Sequence, residues 1–283
     1  MTTFQVLALA PLLLLFSIRN GVAADPTSVG AELDRLVTKI QTKLGEGKKT
    51  EADFAAELKE FDLLLTRHKG EHTDALANVL VEEASLYLRV FENFDKATAL
   101  VQTLRRDFPQ SKPAQSADKL LDSISRHEEA KRLKAIFVVG SPLPDFEEKD
   151  LNYRPLSIAQ FRGKVVLLEF GATWSKAWVN ETPNLRRLYE KYHGKGFEII
   201  GVSLDQDQLR LSGFTAQNNL TWPQFSDASG WHNKLAIKYG INSLPDNFLL
   251  DGEGKILGRN LRGRELEDTV LLALQHKTPQ RAR

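Results

Sequence analysis

Ser175, set between Trp174 and Trp178, and the carboxylates Glu169 and Glu181 on either side are the residues from which chemistry could be built. A serine hydroxyl becomes a nucleophile only with a general base within hydrogen-bond reach. No histidine lies near Ser175 in sequence, and His193 falls at the far end of the same predicted helix. The same hydroxyl is among the best helix N-caps, and that role is the one expected here. An oxygen nucleophile that recruits Glu169 or Glu181 for hydrolysis or proton transfer is the alternative. Glu169 stands inside an apolar run, so a buried, unpaired carboxyl there should hold its proton above the ordinary range. Thiol chemistry is excluded outright, because none of the 283 residues is cysteine and only a thiolate can attack a disulfide.

Other chemistries find less support. His68 and His72 are four apart, but Gly70 between them ends the helix that would align them. Asp205-Gln-Asp207 lacks the further ligands of a calcium loop, and no phosphate loop or dinucleotide fingerprint is present. No metal and no cofactor are expected. Lys+Arg of 38 against Asp+Glu of 37 leaves a net charge of +1, which does not point to nucleic acid.

The elements that must position these residues follow from periodicity. Lys164–Phe170 reads as a continuous apolar run, as in a strand buried on both faces. Leu185, Leu188 and Tyr189 mark a helix through Tyr192. Phe197–Leu204 reads as a second buried strand, and Gln208–Gln217 and Trp231–Tyr239 as helices. Asn247–Asp251 and Ile256–Asn260 read as two strands joined by the turn Asp251-Gly-Glu-Gly254, and Leu266–Leu274 as a closing helix. Strand, helix and strand in that order imply a parallel pair, with antiparallel strands added by the late hairpin.

Upstream, the chain reads as helical from Asp25 to about Ala135. Leu33, Leu36, Val37, Ile40 and Leu44 recur at helical spacing until Gly45 and Gly47. Phe54 to Leu65 is a second helix. Thr73 caps a third that runs to about Phe91, Lys96–Phe108 is a fourth, and Pro113 opens a fifth that continues toward Leu133. Val6 to Ile18 is an apolar run shorter than the roughly 20 residues that span a bilayer. With Val22-Ala-Ala24 behind it, the run reads as an export signal cleaved after Ala24. The predicted organisation is a signal at 1–24, a helical domain at 25–135, a proline-rich linker at 136–146 and an α/β domain at 147–283. The tail residues Lys277, Arg281 and Arg283 read as solvated.

From about Val139 onward the chain resembles the exported TlpA/ResA-like branch of the thioredoxin superfamily, of the redoxin or AhpC/TSA type. The resemblance rests on Phe161-Arg-Gly-Lys-Val-Val-Leu-Leu168, on Ala172-Thr-Trp174, and on Glu181 with Pro183. Gly201-Val-Ser-Leu-Asp205 and Tyr239-Gly-Ile-Asn-Ser-Leu-Pro245 with Phe248-Leu-Leu-Asp251 extend it. It implies a thioredoxin-like α/β fold, a mixed sheet flanked by helices, preceded by an all-α helical-hairpin domain. It places Ser175 and Trp178 where the family has its two cysteines, so neither position is catalytic here. It identifies Glu169 and Glu181 with the carboxylates near the family's active site, without a redox partner and so as relics or hydrogen-bond anchors. It implies a cis peptide bond before Pro245 and a Leu244 backbone that faces the turn and pairs with extended peptide. Asp246 stands where the family often has threonine. Residues 74–109 are similar to a tetratricopeptide hairpin, with small residues at Ala84, Ser85 and Ala97 and a unit length near about 34 residues.

These observations lead to an exported, periplasmic or extracellular, redox-inactive protein that binds other exported proteins or extended peptides through Trp174, Trp178, Leu244 and Pro245. The expected role is a chaperone-like or scaffolding one in the cell envelope, with a membrane involved only if the signal is uncleaved. Trp174 and Trp178 are expected to form one aromatic patch, or Trp178 to fill the space beneath the turn. A helical-repeat adaptor, in which the α/β domain is only structural, is a further alternative.

Overall fold

The computed structural model describes residues 28–275. The export signal and the basic tail lie outside the described residues. Among the described residues no helix is long and apolar enough to cross a membrane. The chain divides into two compact units between Glu128 and Glu129.

The first unit is helical. In α1 (Val29–Gly45) the residues Val29, Leu33, Leu36, Ile40 and Leu44 are buried, as their spacing predicts, and Ser28 caps the helix through Ala31 N. Next come α2 (Ala55–Arg67), α3 (Asp74–Leu86) and α4 (Phe94–Asp107), the last two capped by the side chains of Thr73 and Asn93. Two departures from the predicted helices stand out. The third helix turns from α to π at Tyr87–Phe91, where the Tyr87 and Phe91 rings meet at 5.3 Å. The fifth is split by Ser116 into α5 (Lys112–Gln115) and α6 (Ala117–Ile136). Ala84 and Ala97, the small residues of the predicted hairpin, are buried in one cluster with Tyr87, Leu88 and Val101.

The second unit is a five-stranded sheet in the order β5-β4-β3-β6-β7. Its strands are β3 (Val165–Gly171), β4 (Phe197–Ser203), β5 (Gln224–Phe225), β6 (Asp246–Leu250) and β7 (Ile256–Arg259). β3 runs parallel to β4 and β4 to β5, whereas β6 is antiparallel to both β3 and β7. The helices of this unit are α7 (Lys176–Tyr192), α8 (Gln208–Gln217), α9 (Lys234–Tyr239) and α10 (Gly263–Gln275). Two short strands, β1 (Glu148–Lys149) and β2 (Pro155–Leu156), form a separate hairpin ahead of them.

Every residue of β3 is buried, because each of its faces carries its own core. Val166, Leu168 and Phe170 join Tyr239, Phe248 and Ile200 on one side. Val165 and Leu167 join Trp178, Leu185, Leu188 and Leu266 on the other. Each such side chain removed from water contributes roughly 1.5–3 kcal/mol. The segment read as a linker is part of this unit. Phe137, Leu143 and Phe146 lie in the first of these cores, and Gly140 N and Ile256 N bond Ile256 O and Ser141 O at 2.7 and 2.9 Å. Three large apolar side chains within ten residues give the segment surface to bury, despite its prolines.

Candidate functional site

The turn from β3 into α7 is held from below. Asp205, at the carboxyl end of β4, accepts hydrogen bonds from Thr173 N at 2.9 Å, Thr173 Oγ1 at 2.6 Å and Ser203 Oγ at 2.8 Å. Ser175 N donates to Ala172 O, and Ser175 Oγ accepts from Trp178 N at 3.4 Å. Ser175 is thus the buried N-cap of a 17-residue helix. Among the described residues no base is hydrogen-bonded to it: His193 lies beyond the other end of α7, 3.5 Å from Glu198 and with its ring 4.5 Å from that of Tyr189.

The aromatic patch of Trp174 and Trp178 does not form. Trp178 is only 4% exposed and belongs to the buried stripe Trp178, Thr182, Leu185, Leu188 and Tyr192 of α7. Its ring lies 5.3 Å from that of Phe214 and directly on Gly171, where an added Cβ would come within 2.1 Å of the indole nitrogen. The indole takes the space beneath the turn because residue 171 has no side chain. Counting the helical stripe back from Leu185 toward the cap would have revealed this. Trp174 remains 47% exposed and pairs with Trp231, ring centroids 5.7 Å apart, while its Nε1 donates to Leu204 O at 3.4 Å. Trp231 was missed as a site residue because it reads as part of a helix. It sits instead in a single 3-10 turn, Gly230–His232, ahead of α9.

The two carboxylates hold a loop, and among the described residues neither is hydrogen-bonded to the serine. Glu169, 2% exposed, accepts from Asn247 Nδ2 at 2.9 Å through Oε2, while its Oε1 has no partner. Burial pushes its carboxyl up to about 8, only partly offset by the Arg262 charge and the Asn247 hydrogen bond. Asn247 also donates to Leu261 O at 2.9 Å and accepts from Leu261 N at 3.1 Å. Glu181 Oε1 accepts from Gly263 N at 3.1 Å and from Asn184 Nδ2 at 2.7 Å. Both acids therefore anchor residues 261–263, between β7 and α10.

The Leu244–Pro245 peptide bond is cis, as the resemblance implies. Leu244 packs against the same core cluster as Trp231. Asp246, read as a change of local charge, is fully buried. Arg259 Nη2 and Nε reach its carboxylate at 2.9 and 3.3 Å, and the guanidinium lies over the Phe248 ring at 4.6 Å. Among the described residues no group of three or more acidic or histidine side chains is placed to hold a metal ion. His68 Nδ1 instead meets Glu71, and His72 Nδ1 meets Asp107 O.

Comparison with known proteins bears on the second unit. The AhpC/TSA family matches residues 139–259. The thiol-disulfide oxidoreductase ResA of Bacillus thuringiensis subsp. konkukian is 32% identical over 141 residues, which are 50% of this chain and 79% of that protein. ResA of Geobacillus thermodenitrificans is 35% identical over 123 residues, 44% of this chain and 69% of that protein. Among solved structures, the thioredoxin domain of a thiol-disulfide oxidoreductase from Bacteroides vulgatus is 31% identical, with a TM-score of 0.45 over 48% of this chain and 96% of that one.

Proposed function

We propose, for a chain that belongs to the AhpC/TSA family of thioredoxin-like proteins, a polypeptide-binding role without thiol–disulfide exchange. One observation carries it: the turn that would hold the thiols has become structural, with Ser175 as its cap and Trp178 as its core, while Trp174 beside it stays exposed. Without a cysteine the chain has no means of forming a mixed disulfide. What is left is Trp174 on Trp231, with Leu244 packed on the same core cluster as Trp231 and both Leu244 and Pro245 half-buried. The Leu244 main chain makes no hydrogen bond within the described residues and is open to pairing with an extended peptide. Trp174 is the aromatic anchor of that contact.

The protein acts as an exported chaperone-like or scaffolding component of the cell envelope, and the helical unit offers a second, tetratricopeptide-like contact surface around α3 and α4. A hydrolytic role for Ser175 has no support in the geometry, since the hydroxyl is turned into its own helix and meets no base. The test is an insulin-reduction assay with dithiothreitol, followed by the capacity of the protein to keep the released B chain in solution. The wild type should not accelerate reduction yet should delay precipitation, and Trp174→Ala should shorten the delay. Reduction faster than dithiothreitol alone, or an unchanged delay in the variant, overturns the reading.

A further inference from the structure

We infer that α3 carries a recognition stripe of Asn78, Glu82, Ser85 and Arg89, along which a bound polypeptide lies with a basic side chain set against the Glu82 carboxylate. Steps of four, three and four residues place these side chains on one face of the helix, Arg89 standing in the π-turn that continues it. The apolar residues of α3 from Leu76 to Leu86 are all buried, so this polar arc is what the helix turns toward the surface. Asn78 and Ser85 are half-buried there, and Arg89 is exposed.

Glu82 sits in the middle of the stripe and is only 6% exposed. Its Oε2 is closed off from water and has no hydrogen-bond partner. The charges that act on it are Arg89 on its own stripe and Asp34 on α1, and among the described residues no cation forms an ion pair with it. A buried carboxylate left in this state costs stability through desolvation that nothing offsets. Packing alone is served as well or better by an apolar side chain of similar volume. The cost is recovered when a guanidinium or ammonium from another chain reaches the stripe, because the flexible glutamate side chain turns to it and gains charge-assisted hydrogen bonds. The Asn78 carboxamide, four residues earlier, also makes no hydrogen bond among the described residues. It supplies a donor and an acceptor for the main chain of the same segment. Ser85 is already committed, its hydroxyl donating to Val81 O at 2.8 Å.

The balance of charge selects the occupant. Glu82 and the exposed Asp34 bring two carboxylates to this face against the one guanidinium of Arg89. A basic segment meets the larger opposite charge here, and an acidic one is repelled by it. Glu83 is also buried, but it answers to Asp62 on α2 and Lys96 on α4 and so lies off the stripe.

This inference rests on the polypeptide-binding reading, and its test separates the two. The full chain is titrated calorimetrically with a blocked nonapeptide of leucine and alanine that has arginine at its centre, and with the same peptide carrying citrulline there. The arginine peptide should bind about tenfold more tightly, the scale of one hydrogen bond to a charged group. Its advantage should grow as pH rises through about 7, where the free Glu82, faced by Arg89 and Asp34, gives up its proton. Glu82→Gln should remove the advantage without lowering the melting temperature, and Arg89→Gln should enlarge it roughly threefold by taking away a like charge. Equal binding of the two peptides, or an arginine advantage that survives Glu82→Gln, overturns the stripe. If both peptides bind equally and both are lost in Trp174→Ala, the polypeptide reading at Trp174 stands without the stripe. If the advantage is lost in Glu82→Gln while Trp174→Ala changes nothing, the stripe stands and the Trp174 contact falls. If neither peptide binds, both fall.

Discussion

Glu169 on β3 and Asn247 on β6 stand directly opposite each other in the antiparallel pair, and the amide bonds the carboxyl at 2.9 Å while binding both main-chain groups of Leu261. One amide therefore couples a buried acid to the loop that opens α10. The acid no longer has a thiol to serve, yet the hydrogen bonding around it is complete on the Asn247 side.

This coupling gives stability a dependence on pH. Glu169 holds its proton more tightly in the folded chain than in the unfolded one, where an ordinary value near 4.5 applies, because burial raises it to about 8. The stability it contributes is fully present below the unfolded value and is lost as pH rises through about 8, on the order of 5 kcal/mol in all. Thermal unfolding followed from pH 5 to 9 should show a falling melting temperature. Glu169→Gln should flatten the upper part of that fall, at a constant cost of about 1–2 kcal/mol for the donor it leaves without a partner.

The helical unit should show its own, lower transition. Glu82 and Glu83 on α3 are both buried and both pushed up to about 7 by desolvation. Arg89 and Asp34 act on the first with opposite signs, as do Lys96 and Asp62 on the second. The direction is the same as for Glu169, but the loss should be complete by about pH 7.5. In the double variant Glu82→Gln and Glu83→Gln, the melting temperature should change less between pH 5 and 7.5, while the slope assigned to Glu169 persists.

Trp178 and Gly171 should behave as one unit. A methyl group on residue 171 collides with the indole, so Gly171→Ala should cost about 1–3 kcal/mol by overpacking. Trp178→Ala should cost about 3–5 kcal/mol through the cavity it leaves. Because each change relieves the other, denaturant unfolding of the double variant should fall short of the sum by at least about 1 kcal/mol. Simple additivity would show that the indole does not depend on Gly171 for its place.

Much of the sheet was legible because its signals are local. Val165 to Phe170 is apolar on both faces, and Ser175 announces the start of α7 by its residue type. Where Trp178 goes was legible only through its spacing to Thr182 and Leu185, because an indole by itself satisfies both a surface and a core. The deciding residue, Gly171, lies a turn away on another element and reads as an ordinary strand end. Nor did the β1–β2 hairpin leave a trace, since two-residue strands have no period. The π-turn at Tyr87–Phe91 coincides with ring contacts of Phe91 with Tyr87 and Phe54, a tertiary feature that the helical pattern running on to Phe91 does not signal. The acids read as relics or hydrogen-bond anchors, but the target that the structure gives them, residues 261–263, has no local signal in the sequence.

Ser175→Ala tests the capping role most directly. Loss of the side-chain acceptor for Trp178 N should cost about 1 kcal/mol, and Ser175→Asp should recover most of it, because a carboxylate caps equally well and favours the positive end of α7. A catalytic serine would not be rescued in this way by aspartate. Equal melting temperatures for wild type and Ser175→Ala would remove the structural role assigned here.

Asp246 and Arg259 form a buried ion pair, and their burial sets the outcome of mutation. Desolvating two charges roughly cancels their attraction, so the pair itself adds little net stability. Removing one partner is different: Arg259→Leu leaves the Asp246 carboxylate fully buried without its cation and should cost about 3–5 kcal/mol. The reverse change, Asp246→Thr, leaves a guanidinium that is partly exposed and still bonded to Gly240 O at 3.3 Å, so its cost should be smaller. Combining Asp246→Thr with Arg259→Leu removes both charges. Its stability in urea should return to within about 1–2 kcal/mol of the wild type, because apolar replacement of a buried ion pair is often neutral. A double variant as unstable as Arg259→Leu alone would mean that the guanidinium acts through its packing on Phe248 and not through Asp246.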